Sequence, residues 1–396
     1  MARSRHRIPF RYNLRNVLVR KVSTGMTVLG IALVVAVFLL VMSLAEGVRK
    51  TFAPPVSGRT VMALRVGAQS DVMSLVSRDE YEAVRTLPGI ARGPGGEQLV
   101  SPEIVVLVNL IRKDGRKANV MLRGVEGPAF LLRPELRVVE GRTFRAGTNE
   151  AIVARGAERR FAGLGVGSRI RSGIEEWIVV GVFDAGESPF GSEIWVDLHN
   201  LQEQAQREGV LSVVRLRAAD LERQEWLIAS IRGNRQIKLA AKTEEAYFSE
   251  QRGTAKPIEF LAWLVGAIMA IGASFGAMNT MYAQVSARTK DIATLRSLGF
   301  SRRAVLTSFV VESLFLALAG GALGAVAAWV AIHTIWSGPT GTQNVNTFSE
   351  VLFHFRLTPP LLARGIGLSV AIGIVGGLLP AFRASRLKIT QALRAA

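Results

Sequence analysis

The polar residues that could carry chemistry are few and scattered along the chain. The four histidines are His6, His199, His333 and His354, and no two of them have the i, i+4 or H-E-x-x-H spacing. That spacing is what places two imidazoles on one helix face for zinc. The chain has no cysteine, so thiolate metal sites and disulfides are excluded. We therefore expect no metal site.

Some carboxylates occur as immediate neighbours in the sequence. Glu175 precedes Glu176, and Glu244 precedes Glu245. Side chains of adjacent residues point in different directions in both strands and helices, so neither pair can act as a general acid and base. We interpret both pairs as solvated surface and expect no catalytic residues.

Nucleotide-binding patterns are missing as well. The sequence has no G-x-x-x-x-G-K-[ST] motif, in which backbone amides and a lysine hold phosphates. Gly93, Gly95 and Gly96 are not followed by a helix start of the phosphate-binding form, so they predict a loop. We expect no cofactor on this chain and no enzymatic activity of its own.

The sequence contains four long apolar stretches. A membrane-spanning helix needs about 20 mainly apolar residues. The predicted spans are Val22–Leu44, Pro257–Tyr282, Ala304–Ile335 and Leu361–Pro380. The first is longer than the roughly 7–15 residues of a signal-peptide core, so we interpret it as an uncleaved anchor.

Basic residues cluster beside these spans. Segments 1–21, 283–303 and 381–396 carry seven, five and four Lys or Arg, with one acid among them, and so hold most of the net charge of +18. Charge placed this way sets membrane orientation and is not typical of nucleic-acid binding. It predicts a membrane protein with both termini and the 283–303 loop in the cytoplasm. Residues 45–256 and the short loop 336–360 would lie outside.

The large insert 45–256 has the pattern of a mixed α/β domain. Runs such as RTVMALRV, LVSPEIVVLVNLI and ANVMLRGV predict strands, and VGSRIRSGIEEWIVVGVF predicts a hairpin that turns near Gly173. Ser77 would cap a helix in SRDEYEAVRTL, and LHNLQEQAQREG predicts another helix. Segment 143–210 is dense in short strands and would be a possible subdomain. The predicted fold is one N-terminal and three C-terminal transmembrane helices, with this extracytoplasmic domain between the first and second.

Inside the spans, one acid and three glycine pairs stand out. Glu312 would lie roughly 12 Å from the cytoplasmic end of the third span, at about 1.5 Å per residue. It could relay protons, but we favour a hydrogen bond to a neighbouring helix or an interface. The G-x-x-x-G spacing lets helices approach closely, either within one chain or in a dimer. It occurs at Gly272 and Gly276, Gly320 and Gly324, and Gly373 and Gly377.

The stretch TKDIATLRSLGFSRR, between the second and third spans, is amphipathic. Ile292, Leu295 and Leu298 recur at helical spacing, and Gly299 follows where a helix would end. A role in setting membrane orientation would explain the basic residues of this stretch. It would leave the apolar stripe exposed. A helix that docks on a partner or on the membrane surface explains both.

This region resembles the FtsX/MacB-type permeases of ABC transporters. The matching motifs are the Met278–Asn279 end of the second span, Arg288–Thr289, Asp291–Ile292, Arg296 and Leu298–Gly299. Glu312 precedes a glycine-rich third span, and LLPAFRASRLKITQALR resembles the C-terminal end of the family. The insert is similar to the family's periplasmic core domain. Ala287 departs from the family, which commonly has Glu there, and Asp291 replaces a usual Glu.

The resemblance implies a non-catalytic subunit that dimerises, with helix-packing or dimer contacts at the three glycine pairs and Glu312. A separate ATPase, with its ATP and Mg, would bind the cytoplasmic loop as a coupling helix and drive movements of the external domain. The implied contacts are Arg288, Lys290, Asp291, Ile292, Leu295, Arg296, Leu298 and Gly299. Other implied partners are a periplasmic membrane-fusion protein or a lipoprotein, besides the lipid bilayer.

Three functions stay open at this point. The first is export or release of a lipid-like, lipoprotein, peptide or drug substrate. The second is an FtsX-like transmitter of force to an external cell-wall enzyme. The third is a membrane receptor without transport. The size of the insert favours export, and the short cytoplasmic pieces disfavour a receptor.

Overall fold

The computed structural model describes residues 21–52, 58–172, 175–186, 188–336, 338, 340–343, 347 and 349–387. The N-terminal basic segment and the end of the C-terminal one therefore lie outside the described residues. The α-helices, in chain order, are α1 (Lys21–Thr51), α2 (Arg78–Arg85), α3 (Pro128–Leu132), α4 (Arg155–Arg160), α5 (Leu198–Gln204), α6 (Leu221–Gly233), α7 (Glu244–Arg252), α8 (Lys256–Ala287), α9 (Thr289–Ser297), α10 (Arg302–Thr334) and α11 (Pro359–Ser385).

The strands number β1 to β14 in the same order. They are β1 (Thr60–Arg65), β2 (Val76–Ser77), β3 (Val100–Ile111), β4 (Lys117–Val125), β5 (Arg137–Gly141), β6 (Glu150–Ala154), β7 (Arg169–Ser172), β8 (Glu175–Asp184), β9 (Ile194–Asp197), β10 (Val210–Leu211), β11 (Val213–Arg217), β12 (Leu239–Thr243), β13 (Thr340–Gln343) and β14 (Glu350–Phe353).

The chain divides into two compact units. The helical unit contains residues up to Glu46, Lys256–Ser337 and Phe355 onward, and the external unit contains Gly47–Ala255 and Gly338–His354. Among the described residues, four helices, α1, α8, α10 and α11, are long and apolar enough to cross a membrane. The predicted arrangement of one span before the α/β insert and three after it is confirmed.

The spans pack through two apolar clusters. One joins α1 to α10 and α11, with Val35, Phe38 and Leu39 at its centre. The other gathers Met281, Val305 and Phe309 beside the end of α8 and the start of α10. The helices extend past the predicted apolar segments, because polar residues continue the helical hydrogen bonding at the helix ends. In α1 these residues are Arg49 and Lys50.

The external unit is built on a mixed ten-stranded sheet. The strand order is β12-β1-β11-β3-β4-β9-β6-β8-β5, and β7 pairs with β8. The β3–β4 hairpin is antiparallel, whereas β4–β9 and β6–β8 are parallel pairs. Segment 143–210, considered above as a possible subdomain, contributes β6 to β9 to this same sheet, because β9 pairs with both β4 and β6.

Local signals account for several elements. The side chain of Ser77 accepts from the Glu80 amide, and Glu80 accepts from the Ser77 amide, which is the capping box expected at the start of α2. The predicted α5 extended to Gly209, but the helix ends at Gln204 because Gln206 has φ +53°, outside the helical region. The turn of the β7–β8 hairpin at Gly173 lies outside the described residues.

The loop between the third and fourth spans contains structure that the sequence did not predict. β13 and β14 form a two-stranded antiparallel pair. We call residues 338–354 the strap. The strap belongs to the external unit, and the Thr51 hydroxyl donates to the Leu352 carbonyl oxygen at 3.3 Å.

Candidate coupling helix

The short helix α9 lies between α8 and α10, as the amphipathic pattern predicted. Its C-terminal end is a Schellman motif: the Phe300 amide donates to the Leu295 oxygen, and the Gly299 amide donates to the Arg296 oxygen. Gly299 has φ +94°, a conformation that favours glycine. The Ser301 hydroxyl then caps α10 by accepting from the Ala304 amide. The chain is therefore folded tightly on both sides of α9.

One face of α9 packs on the chain's own spans. The side chain of Ile292 is 2% exposed and joins the apolar cluster with Val305 and Phe309. Ala293 is also buried, and Leu295 is half-buried beside a cavity of about 20 Å³. Ile292 and Leu295, predicted to fill a partner's groove, thus mainly anchor α9, because burying an apolar side chain among its own helices is favourable by about 1.5–3 kcal/mol.

Arg288, at the N-terminal boundary of α9, is also engaged within the chain. Its guanidinium forms two hydrogen bonds to Glu312 of α10, at 2.9 and 3.1 Å. The Glu312 side chain is 1% exposed. Arg288, predicted to pair with acids of a partner, is paired here with an acid of its own chain, and Glu312 has the structural hydrogen bond that we favoured.

The opposite face of α9 is exposed. It presents Lys290, Asp291 and Thr294, and it ends at Leu298, which is 71% exposed. Arg296 is half-buried and donates from Nη1 to the Phe300 oxygen at 3.3 Å, so it supports the C-terminal turn. We call Lys290, Asp291, Thr294, Ser297 and Leu298 the outer face.

The glycine pairs separate into two groups. A Cβ on Gly320 would lie 2.8 Å from Cβ of Ile31, and a Cβ on Gly324 would lie 2.5 Å from the Ala32 oxygen, so this pair packs α10 against α1. A Cβ on Gly373 would lie 2.5 Å from Cβ of Ala317, and one on Gly377 would meet Ser313, so this pair packs α11 against α10.

The third pair is open. A Cβ on Gly272 or Gly276 of α8 would meet nothing within 4 Å. Ile268, Ile271 and Phe275 lie beside them and are more than half exposed. The structure therefore leaves one G-x-x-x-G face of α8 without a neighbour among the described residues of the chain.

A cluster of buried charges occupies the external unit, and the sequence did not predict it. Arg123 forms ion pairs with Asp71, Glu103 and Glu193 at 2.7–2.9 Å. Arg133 pairs with Glu103 at 2.7 Å. All five side chains are at most 5% exposed. Fully buried charges persist only when they are paired in this way.

This cluster includes α7, which leads into α8. The Tyr247 hydroxyl donates to Asp71 at 3.1 Å, and Glu244 pairs with Arg215. Glu244 was expected on a solvated surface, but it is buried because Arg215 neutralises it. Burial alone would raise the pKa of Glu103, yet the nearby guanidinium groups of Arg133, Arg215 and Arg123 lower it to about 2.

The remaining candidates from the sequence are the histidines and the surface carboxylates. Among the residues that the structure describes, no group of three or more His, Asp or Glu side chains could hold a metal ion. Glu176 pairs with Arg171 and Arg169 on the surface. The features that could serve a function are therefore the outer face of α9, the open face of α8 and the charged groups of the external unit.

Sequence relatives match the chain to different extents. The "Macrolide export ATP-binding/permease protein MacB" of Escherichia coli is 24% identical over 393 residues, which cover 94% of this chain and 58% of that protein. The "Uncharacterized ABC transporter permease YknZ" of Bacillus subtilis (strain 168) is 30% identical over 145 residues, covering 36% of this chain and 34% of the relative. The chain thus spans less than two thirds of the length of these relatives.

Two solved structures align with about half of the chain. The extracellular domain of YknZ from Gram-positive bacteria aligns with TM-score 0.35 and 15% identity, covering 46% of this chain and all of that one. The periplasmic region of MacB from Actinobacillus actinomycetemcomitans aligns with TM-score 0.38 and 12% identity, covering 48% and 91%.

Family models match both parts of the sequence. The MacB-like periplasmic core domain matches residues 24–233, and the FtsX-like permease C-terminal domain matches residues 263–389. Together these matches include most of the α/β insert, α9 and nearly all of the three C-terminal spans. The chain therefore belongs to the family of FtsX-like permeases with a MacB-like periplasmic core domain.

Proposed function

We propose that this chain is the permease subunit of an ABC transporter, and that the outer face of α9 binds a separate ATPase. The observation that carries the proposal is the two-sided arrangement of α9. Its inner face is buried on the spans through Ile292, whereas Leu298 projects from the other side. A helix anchored in this way can transmit a push from a partner to the spans without being displaced from them.

The Arg288–Glu312 pair supports this role. It ties the start of α9 to α10, and the Schellman turn with the Ser301 cap ties its end to α10 as well. A load applied at Leu298 would therefore pass into α10 at both ends of α9. The separate ATPase would hydrolyse ATP with Mg, and this chain would contribute no catalytic group.

We infer that the permease works as a dimer. The Gly320–Gly324 and Gly373–Gly377 pairs are used within the chain, so the open Gly272–Gly276 face of α8 is the one available for a second permease copy. Close approach of backbones at small residues is how membrane helices associate.

The proposed output is movement of the external unit, for export or release of a substrate from the outer side of a bacterial inner membrane. In this arrangement α9 and both termini are cytoplasmic. The test is to copurify the chain with its ATPase and to compare Leu298→Asp with Leu221→Asp, an equally apolar and exposed residue of the external unit. Loss of the ATPase with Leu298→Asp alone supports the proposal, and equal retention in both variants contradicts it.

A further inference from the structure

A cationic pocket lies on the external unit, away from the buried charge cluster. It has a volume of about 240 Å³ and is lined by Arg112, Lys113, Asp114, Arg159 and Arg160. Four cations against one carboxylate give the lining a net charge of +3. We call this site the arginine pocket.

Backbone pairing brings these cations together from two segments. The β3–β4 turn supplies Arg112 and Lys113, and the end of α4 supplies Arg159 and Arg160. The Lys113 amide donates to the Arg160 oxygen at 2.9 Å, and the Ala162 amide donates to the Ile111 oxygen at 2.9 Å. The two backbone segments that carry these cations are therefore held side by side by the fold.

Two carboxylates at this site, Asp114 and Glu350, already pair with arginines. Asp114 accepts two hydrogen bonds from Arg116, at 3.0 and 2.7 Å. Glu350 of the strap, which is 2% exposed, pairs with Arg112 at 2.8 Å and also with Arg160. Neither carboxylate pairs with Lys113 or Arg159, and all of these residues are described.

Crowded cations of this kind favour an anion with several oxygens. Like charges close together repel, and an anion that bridges them removes the repulsion. Arginine in a fixed position matches phosphate geometry, and lysine contributes a point charge. The Glu350 carboxylate holds the Arg112 and Arg160 guanidinium groups in place, so little side-chain entropy would be lost on binding.

We propose that the arginine pocket binds a phosphate group, carried by an anionic lipid headgroup or by a soluble phosphate. Because Arg112 and Arg160 also hold Glu350, the occupied pocket is linked to the strap, the segment that joins α10 to α11. This inference does not depend on the proposed ATPase contact.

The test uses the full chain purified in detergent and reconstituted in nanodiscs. Binding is measured by native mass spectrometry with phosphatidylglycerol, with phosphatidylcholine as the neutral-headgroup comparison. Inorganic phosphate is the soluble competitor. The site variants are Lys113→Glu with Arg159→Glu and the milder Lys113→Gln with Arg159→Gln. Arg169→Glu with Arg235→Glu is the control, because it makes the same charge change at exposed positions of the same unit.

We expect phosphatidylglycerol to bind the wild type and the control. Its affinity for the charge-reversed variant should be lower by about tenfold or more, because charge-assisted contacts are lost. Lys113→Arg with Arg159→Lys should retain binding. Displacement by inorganic phosphate identifies a site open to soluble phosphate, whereas lack of displacement identifies a headgroup site. Equal binding by the wild type and both site variants, or an equal loss in the control, overturns the proposal.

Discussion

Arg288 and Glu312 form a two-hydrogen-bond ion pair that joins the start of α9 to α10. The residues are 24 positions apart in sequence, and the Glu312 side chain is almost completely buried. Buried ion pairs of this kind are costly to break, because removing one partner leaves the other charge without compensation. The pair therefore fixes the position of α9 on the spans.

Replacing Glu312 by Gln should uncouple α9 without removing its outer face. We expect a loss of about 3–5 kcal/mol in stability, as for other buried pairs that lose one partner. Copurification with the ATPase should persist, whereas ATP-driven movement of the external unit should decrease. Thermal unfolding and a labelled-distance assay measure the two effects.

The exchanged variant, Arg288→Glu with Glu312→Arg, is the control for this prediction. It keeps both charges and should recover part of the lost stability and movement. If the ATP-driven movement of the external unit is the same in Glu312→Gln as in the wild type, the Arg288–Glu312 pair has no role in transmitting movement from α9.

Helix α9 should be sensitive to substitution at Leu298 on its outer face and should tolerate a conservative change at Ile292 on its inner face. Leu298→Ala should weaken ATPase retention, because an exposed anchor side chain in an interface is lost. Ile292→Val removes one methylene group from the packed inner face and should cost about 0.5–1.5 kcal/mol of stability while retaining the ATPase. Copurification with the ATPase at matched expression distinguishes Leu298→Ala from Ile292→Val. Loss of the ATPase with Ile292→Val but not with Leu298→Ala would contradict a contact at the outer face.

The glycine faces should respond differently to a large residue. Gly272→Leu with Gly276→Leu should fold normally but lose the dimer, since these positions have no neighbour within the chain. Gly320→Leu should disrupt the packing of α10 on α1, because its side chain would meet Ile31. Gly367→Leu, at another open glycine, is the control and should keep the dimer. Light scattering measures whether each variant is a monomer or a dimer. A dimer that persists in Gly272→Leu with Gly276→Leu would show that this face of α8 is not the dimer contact.

Much of the architecture could be predicted from the sequence because membrane spans and capping residues have local signatures. The lengths of the apolar stretches, Ser77 as a cap and Gly299 as a helix end each depend on neighbouring residues only. The inner and outer faces of α9 could not be separated in this way. Ile292 and Leu298 belong to the same apolar stripe, and only the packing of Val305 and Phe309 from α10 determines which one is covered.

The charge clusters could not be predicted for a related reason. Asp71, Glu103, Arg123 and Glu193 come from separate elements and meet only when the sheet forms. In the sequence they resemble ordinary surface charges. One signal was present: Glu103 stands in the strongly apolar strand LVSPEIVVLVNLI, where a charged residue would need a buried partner.

The low pKa of Glu103 predicts loss of stability in acid. Its pKa is about 2 in the folded protein and near 4.5 without the fold. The contribution to stability is therefore complete above about pH 4.5 and decreases as the pH falls toward 2. Unfolding of the external unit, followed by tryptophan fluorescence in detergent, should begin in this range.

Glu103→Gln should be less stable at neutral pH and should depend less on pH below 4.5. Glu97→Gln, at an exposed carboxylate of the same unit, is the control and should follow the wild type. An acid response of Glu103→Gln identical to that of the wild type would show that other carboxylates govern the transition.

The central claim is that a partner ATPase, bound at the outer face of α9, moves the external unit. The chain has no cysteine, so two introduced cysteines, Ser286→Cys near α9 and Glu222→Cys on the external unit, can be spin-labelled before the ATPase is added. The interlabel distance distribution is measured by pulsed electron paramagnetic resonance on the labelled chain mixed with purified ATPase, with and without ATP. We predict that ATP shifts the distribution and that Leu298→Asp abolishes the shift. An unchanged distribution while the ATPase turns over, or a shift that persists in Leu298→Asp, would contradict the claim.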